Sequence, residues 1–265
     1  MRTEWGRMAV LSVDLAHKRW ADIGVCALEA GADHVAVSPI SLPALGLAGA
    51  PTAKAVAEVV ADLAIRIDAR LILLDGPQAW KDADNGLLHC RRCERELATQ
   101  GKTGLPGFTK PATYGPFIAF AIEVFERLAE RGWPRLPSAS ALAPGARFAL
   151  ESFPTSAWRF LGLQPLPGKA NRSGASVEEK LDALRRRCAL TIRGATTLSH
   201  DELQAVVAGL AGIGVGAHPL YTFALAGVAP FEREGAWREG FIVNPVARGV
   251  APWAARRRSL TRRST

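Results

Sequence analysis

Cysteine is scarce in this chain: four residues in 265, Cys26, Cys90, Cys93 and Cys188, too few for a disulfide framework and suited to reduced thiols. Long apolar runs are missing too. No stretch reaches the roughly 20 uncharged residues of a membrane span. The N-terminal "MRTEWGRMAVLSVDLAH" has neither the apolar core nor the small-residue cleavage site of a signal peptide, so the sequence reads as cytoplasmic, with no membrane partner. The glycines of "GLAGIGVGA" are not followed by Lys-Ser/Thr, which excludes a phosphate-binding P-loop and leaves a helix end. Acidic residues are absent after Asn244, where Arg248, Arg256, Arg257, Arg258, Arg262 and Arg263 carry six of the net +8 charges. Residues 246–265 therefore read as a basic, disordered tail able to attract a polyphosphate, and the body before it is nearly neutral.

What is present is an ordinary apolar content of 48%, enough for a sizeable core. "MAVLSVDLA", "WADIGVCALE" and "DHVAVSPI" are short Val/Ile-containing runs separated by turn residues, and predict three hairpin-connected strands. "PTAKAVAEVVADLAIRI" places Val56, Val59, Val60, Leu63 and Ile67 on a 3.6-residue period and predicts a helix returning the chain to a fourth strand, "LILLD". Residues 76–116, rich in Gly, Pro and charge, read as a partly ordered insertion. A helix over "PFIAFAIEVFERLAERG" and a fifth strand, "RFALES", follow. "SAWRFLGL", "SVEEKLDALRRRCALTI" and "SHDELQAVVAGLAGI" then predict helices, with Ser176 and Ser199 as caps. The order implies one α/β domain over residues 1–245 with a mixed sheet flanked by helices.

Carboxylates close the predicted strands: Asp14 the first, Asp75 the fourth, Glu151 the fifth, with Asp201 in the first turn of the late helix. Taken singly, an acid at a strand end is a turn former or cap. Several brought to one sheet edge repel one another unless a cation neutralises them, and hard oxygen ligands suit Mg²⁺ or Mn²⁺. Two such ions can clamp the attacking and leaving oxygens of a phosphodiester.

The segments "VDLAHKRWADIGV", "ILLDGPQAW", "RRCERELATQG", "LESFPTSAWRFLG", "HDELQAVVAGLAG" and "EGFIVNP" together resemble the uncharacterised domain family numbered 429, a group of predicted RNase H-like nucleases. The resemblance keeps the family's order over residues 9–245. It implies an RNase H-like fold, a five-stranded mixed sheet flanked by helices, with an acidic site for one or two Mg²⁺ or Mn²⁺ ions at one edge and DNA or RNA as partner. Asp14, Asp75, Glu151 and Asp201 match its candidate catalytic and metal-binding acids. In the last helix the family pattern is D-x-x-D-A, whereas this chain has Gln204 at the second acidic position, and an amide is a weaker ligand for a hard dication.

Other residues admit a second reading. Arg91, Arg92 and Arg95 in "HCRRCERE" could hold substrate phosphates, as could Lys18 and Arg19 after the first strand and Lys169 and Arg172 in "LPGKANRSG". Each also reads as a solvated surface cation. Cys90-x-x-Cys93 beside His89 lacks the further ligands of a closed zinc site. His200 reads as an exposed neighbour of the helix cap, or as a proton shuttle. Trp80 is assigned to packing, with base stacking as the alternative. Two functional alternatives remain: an ATP-binding phosphotransferase of the actin and sugar-kinase type, in which Gly76 would give phosphate close approach, and an inactive RNase H-like module binding nucleic acid.

Overall fold

The computed structural model describes residues 8–169, 174–216 and 218–249. Arg172 and most of the basic tail lie outside them. Three antiparallel strands open the chain: β1 (Ala9–Asp14), β2 (Gly24–Ala30) and β3 (Val35–Pro39). Helix α1 (Ala53–Arg66) is capped by Thr52, whose side chain accepts the Ala55 N–H, and it leads to β4 (Ala69–Asp75). The insertion carries the single-turn α2 (Arg92–Glu96), after which α3 (Gly115–Glu130) and β5 (Phe148–Ser152) complete a second β-α-β passage. Helices α4 (Pro154–Phe160), α5 (Gly174–Cys188) and α6 (His200–Val215) follow, with β6 (Leu190–Ile192) between the last two. A long hairpin, β7 (Tyr221–Arg233) and β8 (Ala236–Ala247), ends the described chain.

All eight strands join one sheet in the order β6-β3-β2-β1-β4-β5-β8-β7. Within it, β3-β2-β1-β4-β5 forms a five-stranded core in which β1, β4 and β5 run parallel and β2 is antiparallel to β1 and β3. That order and polarity are RNase H-like. The three extra strands correct the five-stranded expectation: β6 extends one edge, and β8 pairs in parallel with β5 at the other. β8 also carries the domain two residues past the sequence-based boundary at 245.

Side chains alternate across the pleat, so each face buries its own core. Val10, Leu28, Leu71, Leu73 and Leu150 pack beneath α4, α5 and α6, while Leu11, Val13, Ile72, Leu74 and Ala149 pack beneath α1 and α3. Helix α6 lies close on the sheet because three of its residues, Gly209, Gly212 and Gly214, lack side chains where it touches the strands. A Cβ on Gly209 would fall 2.9 Å from the Ser12 Cβ and 2.7 Å from Leu28, and one on Gly212 would meet Val10 at 2.8 Å. This approach brings the N-terminus of α6 to the ends of β1 and β4.

The insertion is tied down rather than loose. Glu239 of β8, buried at a positive φ of 60°, accepts the Asp82 N–H at 3.1 Å, the Arg92 N–H at 2.8 Å and the Asn85 side-chain amide at 2.6 Å. Three parts of the insertion thus hang on one carboxylate.

Candidate active site

In the parallel pairing of β1 with β4, Asp14 and Asp75 are direct partners in the last register position of both strands. Alternation turns both to the face covered by α6, as it does Ser12 and Val10, two and four residues before Asp14. Their side chains hydrogen-bond to one another. Such a contact needs a shared proton, and the site favours one. Burial pushes the Asp14 carboxyl well above the ordinary range, with the charges of Asp75 and Asp201 adding to the effect. Asp75 is pushed up to about 7, chiefly by burial, against the opposing hydrogen bond from Asp14 and with the help of the Glu151 charge.

Asp201 arrives from the other side of the strand end. Ser199 caps α6, accepting the Glu202 N–H at 3.2 Å while Glu202 returns to the Ser199 N–H at 2.7 Å, and this capping box fixes the first turn. The turn rests on Gly24, the register partner of Asp14: a Cβ there would fall 2.2 Å from the Asp201 carbonyl carbon. Burial alone would raise the Asp201 carboxyl, but hydrogen bonds from His200, at 3.1 Å, and from the Lys169 ammonium, at 2.7 Å, outweigh it and hold the group below its ordinary range. His200 is buried, not exposed, and its other ring nitrogen faces the Pro167 carbonyl at 2.9 Å.

Glu151 reaches the same end of the sheet, near enough for its charge to raise Asp75, but its partners differ. Its register partner is Leu74, and alternation assigns it to the face of α1 and α3; Ser152 is the residue level with Asp75. Both Glu151 oxygens are engaged. The Arg91 guanidinium donates to Oε1 at 2.5 Å and to Oε2 at 2.7 Å, and the Gln78 N–H donates to Oε2 at 3.0 Å. Arg91, 1% exposed, is held in turn by Glu94, which also accepts from the backbone and hydroxyl of Thr103. Arg91 is thus an internal counter-ion, and sequence reasoning had placed it among the phosphate-binding cations.

Gln204 explains itself through Trp158, whose indole N–H donates to the Gln204 Oε1 at 2.9 Å. The amide oxygen is consumed in packing α4 against α6. Of the other predicted phosphate ligands, Lys18, Arg92 and Arg95 are exposed, the first just beyond β1 and the other two on α2. Arg19 pairs with Asp22 at 2.8 Å. Cys93 is buried against Leu97, Ala226 and Ile242, where it packs as a small apolar side chain. Trp80 forms a bridge to Arg238 in β8. Gly76 is enclosed, since a Cβ there would fall 2.9 Å from the Ala121 Cβ of α3, so its smallness serves packing rather than phosphate approach.

Beside Asp75 opens a cavity of about 560 Å³, walled by the insertion (Thr99, Lys102, Tyr114), by Phe117, by Phe153 and by the loop at Pro167. Ser152 lines it, and its hydroxyl, 2% exposed as a residue, has no protein partner. As arranged, no three His, Cys, Asp or Glu side chains among the described residues converge as metal ligands. The donor set nevertheless fits a hard dication: two like-charged carboxylates sharing a proton, a third held by an exchangeable ammonium, and an orphaned hydroxyl alongside.

No family model matches the chain, and no curated protein matches its sequence. Among solved structures, the chain is similar to T. thermophilus RuvC in complex with Holliday junction substrate, at 11% identity over 76% of this chain and 90% of that one, with a TM-score of 0.32. A second Thermus thermophilus RuvC structure aligns at 9% identity over 78% and 98%, with a TM-score of 0.36. The RNase H-like topology rests on the strand order and polarity above.

Proposed function

We propose that this protein is a metal-dependent phosphodiesterase acting on nucleic acid, in keeping with the domain family its sequence resembles. One observation carries the reading: parallel register sets Asp14 against Asp75, and the capped start of α6 adds Asp201 to the pair. Half-buried carboxylates placed so closely, with the buried Asp201 beside them, are unfavourable for stability alone, and sites that tolerate such repulsion are functional candidates. Asp14, Asp75 and Asp201 would hold Mg²⁺ or Mn²⁺, which supplies charge neutralisation and an activated water. The chain's own residues do the rest. Lys169, beside Asp201, would release that carboxylate and face the substrate phosphate, while the 560 Å³ cavity next to Asp75 gives a nucleotide room, with Tyr114 and Phe153 as stacking walls.

The test is cleavage of end-labelled single-stranded, duplex and branched DNA and RNA with Mg²⁺ or Mn²⁺. The wild-type chain is expected to cut at least one of them, and Asp14→Asn to lose at least about 100-fold in rate. Cleavage undiminished in Asp14→Asn, or none with any substrate, overturns the reading. The engagement of Gln204 by Trp158 favours one alternative, a binding module without turnover, which salt-sensitive binding without metal-stimulated cleavage would select.

A further inference from the structure

The four candidate acids, three at strand ends and Asp201 in the first turn of α6, are not equivalent in the structure, and the difference lies in what already holds them. Glu151 is 4% exposed and accepts three hydrogen bonds, two of them from Arg91. Arg91 cannot move off it cheaply: withdrawing Glu151 would leave a buried guanidinium with Glu94 as its one paired carboxylate and remove a tie between α2 and the end of β5. Asp201 is held differently. Its cation is Lys169, whose side chain is 43% exposed and rides on a loop, so an incoming ion can displace it into solvent. Asp14 and Asp75 have each other. Beside them the orphaned Ser152 hydroxyl occupies the β5 position that shares their face and level.

Building on the proposed function, we infer that the site takes one divalent ion, held by Asp14, Asp75 and Asp201, and that Glu151 is a positioning residue locked to Arg91. The Arg91 guanidinium stands permanently where a second cation would be needed to neutralise Glu151. Lys169 is the exchangeable counter-cation of the first. The Arg91–Glu151 pair then fastens the insertion, and with it the cavity wall formed by Thr99 and Lys102, against the end of β5.

Titration of Mn²⁺ into the full chain without nucleic acid, by calorimetry and by electron paramagnetic resonance, tests this. One ion per chain is expected, with the spectrum of an isolated Mn²⁺. Asp201→Asn should weaken binding by about tenfold or more, whereas Glu151→Gln, checked for folding by circular dichroism, should change the Kd by less than about threefold. Lys169→Gln should tighten it by about tenfold, because a competing ammonium is gone. Two ions per chain, an exchange-coupled pair, or a folded Glu151→Gln as impaired as Asp201→Asn overturns the inference and leaves the nuclease reading standing. No Mn²⁺ binding by the wild-type chain overturns both.

Discussion

Asp75 makes the chemistry of the site measurable through pH. Its carboxyl lies at about 7 against the usual 3.8 of an aspartate, so the folded chain keeps a proton there that the unfolded chain has already lost. Between roughly pH 4 and 7 the metal-free fold therefore loses stability as pH rises, and above 7 that contribution is gone. Under the proposed function metal binding would run the other way, since an ion needs the deprotonated pair. Metal-free protein should melt higher at pH 5.5 than at pH 8, Asp75→Asn should remove most of that difference, and Mn²⁺ affinity should climb between pH 6 and 8. At pH 8 the same variant should be more stable than wild type by about 1–2 kcal/mol, the common signature of a carboxylate kept for function. Thermal melts by circular dichroism at the two pH values decide it, and an Asp75→Asn chain no more stable than wild type at pH 8 would remove the repulsion argument. At this scale the sequence was informative but incomplete. All four acids were legible at element ends; the pairing of Glu151 with Arg91 and the face it takes were not, because a one-residue difference in strand register reverses the face to which a side chain points.

Elements decide whether those acids meet. Gly24 on β2 has no conformational peculiarity; it is small because the first turn of α6 lies on it, with the Asp201 backbone where a Cβ would go. Gly24→Ala should therefore destabilise the fold by about 2–3 kcal/mol, read as a lower urea midpoint at unchanged m-value, and should also weaken Mn²⁺ binding by lifting Asp201 away from Asp14. A stability loss with undiminished metal affinity would show that Asp201 is not a ligand. The elements that build this junction were readable, because β1, β4, α1, α3 and α6 carry strong apolar periodicity or sharp caps. The terminal hairpin was not. β7 contains Gly227 and Pro230, shifts register between Val228 and Phe231, and alternates partly exposed residues, all of which blur a period of two. One signal was available: Glu234-Gly235, both at positive φ, is a two-residue hairpin turn between "FER" and "AWRE". β6, three residues long, merged with the helix before it.

Across the whole molecule, charge is distributed so that a neutral body carries an acidic site while cations gather around and beyond it. Exposed Lys18 follows β1, exposed Lys169 pairs with Asp201, exposed Arg92 and Arg95 lie on α2 next to the Arg91 that binds Glu151, and six arginines follow Asn244. A polyanion approaching carboxylates needs such cations to offset the repulsion, and each phosphate neutralised releases counterions. The tail and the site should then separate experimentally. Deleting residues 251–265 removes five arginines, so the slope of log K against log salt for a single-stranded oligonucleotide should flatten by up to about 4, while Lys18→Ala alone should flatten it by about 1 or less. Mn²⁺ affinity should not change on deletion, since no ligand is lost. Cleavage at saturating substrate should also persist, because the tail would act on capture of the substrate and not on the reacting phosphate. If deletion leaves the salt slope intact, the cations near the strand ends carry the whole of substrate capture and the arginines serve only solubility; if it abolishes turnover at saturation, the tail reaches into the site itself.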